Sequence, residues 1–234
     1  MLITLTQYSQ PVRTPHCLTT IIELTQIAAY ILSKMPALNA KGVQGYFYIY
    51  PTSMWAMMMT YDSDAGIPKA KKLWEPILSV AEKFPGMQKT IYQYANFNDF
   101  KQFFDWRYQP LLPKQARSPA LPEGPKLRTG ISMMDSRLLS AKHLNNPQLA
   151  YALQGSLRPI KNAMLRGHLV GGGKVIDPDT RDRVGTSVHP AWRDTYIHLI
   201  ATGVGGPSAA GLKLLAPDSG CYSNEVCSSS FLVF

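Results

Sequence analysis

The chain predicts an α+β fold, an antiparallel β-sheet with helices packed on one face. Two observations carry this. Residues 45–61 read strand, short turn, strand, which is hairpin order and not the β-helix-β order of a parallel sheet. The stretches of helical period at residues 20–35 and 68–84 are interspersed between such strands, as expected of helices laid against one side of an antiparallel sheet.

In chain order, residues 1–17 mix Thr, Gln and Pro without a clear period, apart from a short edge strand at Leu2, Ile3 and Leu5. Thr20-Ile21-Ile22-Glu23 reads as a capping box, with the Thr20 hydroxyl accepting a free backbone N–H and Glu23 reaching back. Leu24, Ile27, Ile31 and Met35 follow at helical spacing, so a helix is expected over Thr20–Met35, ended by Pro36. In Gly42–Pro51, alternation places Tyr46, Tyr48 and Tyr50 on one strand face and Phe47 and Ile49 on the other. Met54–Tyr61 returns as the second strand of the hairpin. Pro68 opens a second helix with an apolar stripe of Leu73, Ile77, Val80, Ala81 and Phe84, and Pro76 lies inside it. Lys89–Phe97 alternates as a third strand, and Asn98 or Asp99 caps a short helix through Trp106.

Residues 109–128 hold five prolines and no period, which marks a loop. Gly130–Met134 is a short strand, Asn146-Pro147 starts a helix to Gln154, and Gly167–Ile176 is a strand broken at Gly171-Gly172-Gly173. Asp177–Arg183 forms a charged turn, Thr195–Ile200 the best strand of the second half, and Ser208–Leu215 a short helix.

Composition bounds the function. A 234-residue chain with 45% hydrophobic residues has ample material for a core. The net charge of +9 admits an anionic partner, but Lys and Arg are spread along the chain and no recognised nucleic-acid motif accompanies them, so no nucleic-acid partner is expected. No apolar run reaches the ~20 residues of a spanning helix, so no membrane partner is expected either. No charged segment followed by an apolar one opens the chain, so no signal peptide is expected, and the compartment stays open. Cys17, Cys221 and Cys227 are too few for a disulfide framework, and the five histidines have no metal-ligand spacing. Gly171-Gly172-Gly173-Lys174 fails as a phosphate loop, because His168 and Val175 stand where such a loop needs glycine and Ser or Thr. There is no G-x-G-x-x-G after a strand and no G-x-S-x-G elbow. The Tyr46, Tyr48, Tyr50 stripe either lines an aromatic or sugar pocket or packs under helices. His198, on the strand face of Tyr196, is a pocket residue or a hydrogen-bonded core histidine.

Four blocks occur in order: Gly42–Pro51, opening Gly-Val-Gln-Gly-Tyr; Asp135-Ser136-Arg137-Leu138-Leu139; His189-Pro190-Ala191-Trp192-Arg193-Asp194; and Ala216–Glu225, with Pro217-Asp218-Ser219-Gly220-Cys221-Tyr222-Ser223-Asn224 within it. Together they resemble the fungal berberine-bridge-enzyme-like flavin oxidases, FAD-linked oxidoreductases with a PCMH-type flavin domain. The resemblance covers most of residues 18–225. It implies the substrate-binding part of an oxidase that passes hydride from substrate to flavin and then to O₂. The alternative class is a truncated remnant or interaction module without flavin.

On the resemblance, residues 18–225 form the substrate-binding domain after a poorly defined segment 1–17. Residues 226–234 depart from the family pattern and read as an aberrant tail, of the kind that a shifted frame or retained intron produces. The family's flavin domain, with its pyrophosphate loop and its flavin-linking His and Cys, has no counterpart in the sequence. FAD is therefore the implied cofactor but is not expected to be bound by this chain alone, and the implied partner is a small-molecule substrate. The implied pocket residues are Tyr46, Tyr48, Tyr196, His198, Tyr222 and Asn224. Plant relatives place a catalytic carboxylate before the strand at Thr195–Ile200, whereas Val184–Ala191 holds no Asp or Glu, so no general base is assigned.

Overall fold

The computed structural model describes residues 2–5, 17–60, 66–84, 87, 92–108, 132–157, 163–177, 188–204 and 209–222. The seven strands are β1 (Leu2–Leu5), β2 (Val43–Tyr50), β3 (Ser53–Thr60), β4 (Tyr92–Ala95), β5 (Ser132–Ser140), β6 (Met164–Leu169) and β7 (Thr195–Val204). They form one sheet in the order β4-β1-β3-β2-β6-β7-β5, and every neighbouring pair is antiparallel. The helices are α1 (Cys17–Asn39), α2 (Gly66–Ala81), α3 (Phe100–Tyr108), α4 (Ala141–Leu144), α5 (Leu149–Ser156) and α6 (Ala210–Leu215). The α+β arrangement expected from the hairpin order is the one observed.

The core lies between the helices and one face of the sheet. Ile27, Ala28, Ile31, Leu32 and Met35 of α1 pack with Phe47 and Ile49 of β2, Ala56 and Met58 of β3, Leu165 of β6, and Ile197 and Leu199 of β7. Burying each of the Ile, Leu, Met and Phe side chains among these stabilises the fold by roughly 1.5–3 kcal/mol, an upper bound because an unfolded chain is already partly compact. The alternation in β2 is strict: Val43, Gly45, Phe47 and Ile49 are buried, while Tyr46 and Tyr50 are exposed and Tyr48 half-buried.

Phe47 lies opposite Gly167 of β6, and its ring occupies the space a side chain there would need: a Cβ on Gly167 would sit 1.8 Å from Phe47 Cζ. This contact holds β2 in register against β6. Gly45 serves a similar end on the other side of β2. Its φ is +150°, and a Cβ would fall 2.1 Å from the Met57 carbonyl oxygen.

Several expectations need correction. Pro36 does not end the first helix, which runs to Asn39. A proline there removes one hydrogen bond, while buried Met35 and Leu38 continue the apolar stripe past it. Asn39 then anchors the end, its Nδ2 donating to the carbonyls of Val43 and Gly171. Because α1 starts at Cys17, Thr20 is inside the helix and not its cap. In α2 the buried stripe is Ala70, Trp74, Ile77, Leu78 and Ala81, with Val80 40% exposed. The rotation follows Trp74, the largest fully buried side chain of the protein. Asp99 is the cap of α3: its carboxylate accepts from Gln102 N, while Gln102 Oε1 accepts from Asn98 N. The expected strand at Gly130–Met134 continues to Ser140, and the helix expected from Asn146 is split into α4 and α5. The strand expected over Gly167–Ile176 is instead β6, ending at Leu169, followed by the glycine loop and a 3₁₀ turn at Gly173–Val175. The loop at 109–128 and the tail at 226–234 fall outside the described residues.

Replacing Gly167 by Ala is expected to destabilise the protein by roughly 1–3 kcal/mol, because the Phe47 ring has nowhere to move. A denaturant midpoint unchanged by Gly167→Ala would show that the register does not depend on this contact.

Candidate functional site

The sheet face opposite the core carries a row of rings. On β2 it presents Tyr46, Tyr48 and Tyr50. On β6, the pairing Tyr46↔His168 and Tyr48↔Arg166 puts those two residues on the same face, and His168↔His198 extends it to β7. Tyr46 meets His168 edge-on at 5.1 Å between centroids, and His168 meets His198 at 5.7 Å. His198 in turn touches Trp192 at 5.9 Å and Tyr222 at 5.8 Å. Beside this chain, Tyr48 stacks on Tyr50 at 6.5 Å and tilts against Trp55 of β3 at 5.3 Å, and the Arg166 guanidinium lies 5.8 Å from the Tyr48 centroid.

Two loops bring in Trp192 and Tyr222. His189 Nδ1 accepts from Ala191 N and Pro190 opens a 3₁₀ turn over Pro190–Arg193, which seats Trp192 on His198. Residues 216–222 run along the outer edge of β5. The Gly220 carbonyl accepts from Leu138 N at 2.9 Å and Ser219 Oγ donates to the Leu138 carbonyl at 2.6 Å. Arg137 donates from Nε to the Ala216 carbonyl and from Nη2 to the Pro217 carbonyl, both at 2.9 Å, and Tyr222 N donates to Ser136 Oγ at 3.4 Å. The β5 edge is thereby covered, which removes an unpaired strand edge, and the Tyr222 ring is delivered to His198. Asp135, one residue earlier, accepts from Ala209 N and pairs with Lys213 at 2.8 Å, fixing α6, from which the segment departs.

Burial, with the nearby His168 adding to it, lowers the pKa of His198 to about 4. Burial and then the Arg166 charge lower that of His168 as well. Both imidazoles are therefore neutral at pH 7, on a face that otherwise carries ring edges, hydroxyls and the Arg166 guanidinium.

Of the six pocket residues expected from the sequence, Tyr46, Tyr48, His198 and Tyr222 belong to this ring system. Tyr196 lies on the same strand but lines an adjoining cavity of about 450 Å³, with Ser140, His143, Asp194 and Asp218. Asn224 falls outside the described residues. Sequence reasoning missed Trp55, Arg166, His168 and Trp192. The alternation of Met164–Leu169 would have placed Arg166 and His168 on one face, but only the β2–β6 pairing shows that it is the tyrosine face.

The glycine loop does not present an anion cradle. Gly171 N and Gly172 N already donate to the carbonyls of Tyr196 and Thr195, and a Cβ on either glycine would fall 2.0 Å from a protein oxygen. Among the described residues no cluster of His, Cys, Asp or Glu could hold a metal ion, and no helix is long and apolar enough to cross a membrane.

No protein-family model and no curated protein sequence matches the chain. Solved structures do. A VAO-type flavoprotein from Myceliophthora thermophila C1 aligns over 96% of this chain at 21% identity, with a TM-score of 0.66. The chain shares its fold with part of that flavoprotein. A second VAO-type flavoprotein of the same organism aligns over 93% at 14% identity and a TM-score of 0.51. The chain spans 40% of the length of the first and 35% of the second.

The shifts of His168 and His198 are depressions, as is that of His143, so between pH 6.5 and about 4 the unfolded chain binds more protons than the folded one. Stability is expected to be complete above pH 6.5 and to fall as the pH drops toward 4, by on the order of 3 kcal/mol for His198. Denaturant unfolding from pH 7 to pH 4 measures the slope. His198→Gln is expected to flatten it, and an unaltered slope would remove His198 as its source.

Proposed function

We propose that residues 18–225 form the substrate-side wall of an FAD-linked oxidoreductase of the berberine-bridge-enzyme-like kind. In this reading the ring-bearing sheet face lies over the flavin's ring system, with a small-molecule substrate between them. The observation that carries it is one-sided construction: helices bury one face of the sheet, while Tyr46, His168, His198, Trp192 and Tyr222 form a continuous array of rings on the other. The likeness of fold to a portion of a VAO-type flavoprotein supports the same reading.

The described residues suit a flat ring better than a dinucleotide's pyrophosphate, since Gly171 N and Gly172 N are spent on carbonyls of β7. FAD would accept hydride from the substrate and pass the electrons on to O₂. This chain would orient the substrate with Tyr46, Tyr48, His198 and Tyr222 and accept a hydrogen bond from it at His168. Tyr196 and Asn224 are proposed at the rim of the same pocket. The exposure of Tyr46, Tyr50 and Tyr222, at 36%, 39% and 41%, also suits an interaction module whose ring-bearing face is covered by a protein partner.

The purified chain is expected to show no flavin absorption, yet lumiflavin, the isoalloxazine ring alone, should quench its tryptophan fluorescence saturably. Tyr46→Ala combined with Tyr222→Ala should weaken that binding about tenfold, in line with loss of one to two ring contacts. Quenching that never saturates, or that the double variant leaves unchanged, would refute the flavin-facing wall and favour the interaction module.

A further inference from the structure

We propose that the ring compound taken by this face carries a carboxylate, and that Arg166 is the residue that selects it. This rests on the ring-lined face being a ligand site, and it adds the chemical class of the ligand.

Across all seven strands the only Asp, Glu, Lys or Arg residues are Asp135, Arg137 and Arg166. The first two have complete structural roles: Asp135 holds α6, and Arg137 holds the carbonyls of Ala216 and Pro217. Arg166 has no such role. It projects from β6 onto the ring face between the positions opposite Tyr48 and Ile200. Its guanidinium lies against the Tyr48 ring, and it forms no ion pair among the described residues. Its Nε is buried and has no hydrogen-bond partner.

Arginine cannot shed its charge, so this N–H stays a charged donor without an acceptor. Buried donors in native proteins are rarely left so, and an incoming acceptor gains most where desolvation has already been met. Among the described residues no acidic side chain on any strand of that face competes, since Asp135 faces the helices. A planar guanidinium fork matches the two oxygens of a carboxylate, while Tyr48, Tyr50 and Trp55 beside it supply flat apolar surface for the ring that bears it. His168, the next residue on the same face, is neutral at pH 7 and adds no second cation. One fixed charge among rings is a receptor for a singly charged aromatic acid.

The test uses the purified 234-residue chain without flavin. Naphthalene-2-carboxylate and its uncharged amide are titrated against tryptophan fluorescence. The acid is expected to bind about tenfold more tightly, as one charge-assisted hydrogen-bond pair implies. Arg166→Met should abolish the preference, Arg166→Lys should keep part of it, and the melting temperature of Arg166→Met should equal or exceed that of the original, since an unpartnered cation is removed. Equal affinity for acid and amide, or a preference that survives Arg166→Met, overturns the role of Arg166 while leaving ring binding intact. Failure of both compounds to bind overturns the ring-lined site together with it. If Arg166→Met fails to fold, the acid-to-amide ratio of the original protein and of Arg166→Lys decides.

Discussion

The contact of Phe47 with Gly167 governs how this molecule presents itself. Side chains on a strand alternate, so a slip of one residue between β2 and β6 would send every tyrosine of β2 inward and every core residue outward. The phenyl ring in the gap left by glycine admits one alignment. From that alignment follow the pairs Tyr46 with His168 and Tyr48 with Arg166, and through β7 the meeting of His168 with His198. A packing event on the helix side thus decides which chemistry appears on the other.

The ring face combines neutrality with one permanent charge. Its imidazoles are held neutral at pH 7 by burial, with His168 adding to the effect at His198 and the Arg166 charge adding to it at His168, and Arg166 is the one Asp, Glu, Lys or Arg that the described strands place on this face. Helix-side charges are treated differently. Asp135 and Arg137 tie down α6 and the segment beyond it, so charge there is structural. The two faces of the same sheet use arginine for opposite ends, one to close the fold and one left facing the ring cluster.

Much of the local architecture was legible in the sequence. The facing of Tyr46, Tyr48 and Tyr50 follows from a period of two residues within one strand and needs no knowledge of partners. The hairpin of β2 and β3 was legible for the same reason. What lay hidden was long-range. The extension of β5 past Met134 was obscured because Asp135, Ser136 and Arg137 look like loop residues until residues 209–222 are seen to satisfy them. The place of His168 on the ring face is hidden in the sequence, because its pairing with Tyr46 joins segments more than a hundred residues apart. In α1, Pro36 suggested a stop by its local chemistry, but the burial of Met35 and Leu38 outweighed one missing hydrogen bond. The resemblance blocks at 135–139 and 189–194 and the described part of the last, 216–222, belong together in space: the first tethers the third, and the second and third meet at His198.

The segment from Ala216 to Tyr222 acts as a clasp. It shields an edge that would otherwise recruit strands from other molecules, and it lays the last ring upon His198. Solubility and assembly of the ring cluster are thereby joined in one short stretch. A lesion that loosens it strikes both at once, baring the β5 edge and freeing the ring of Tyr222.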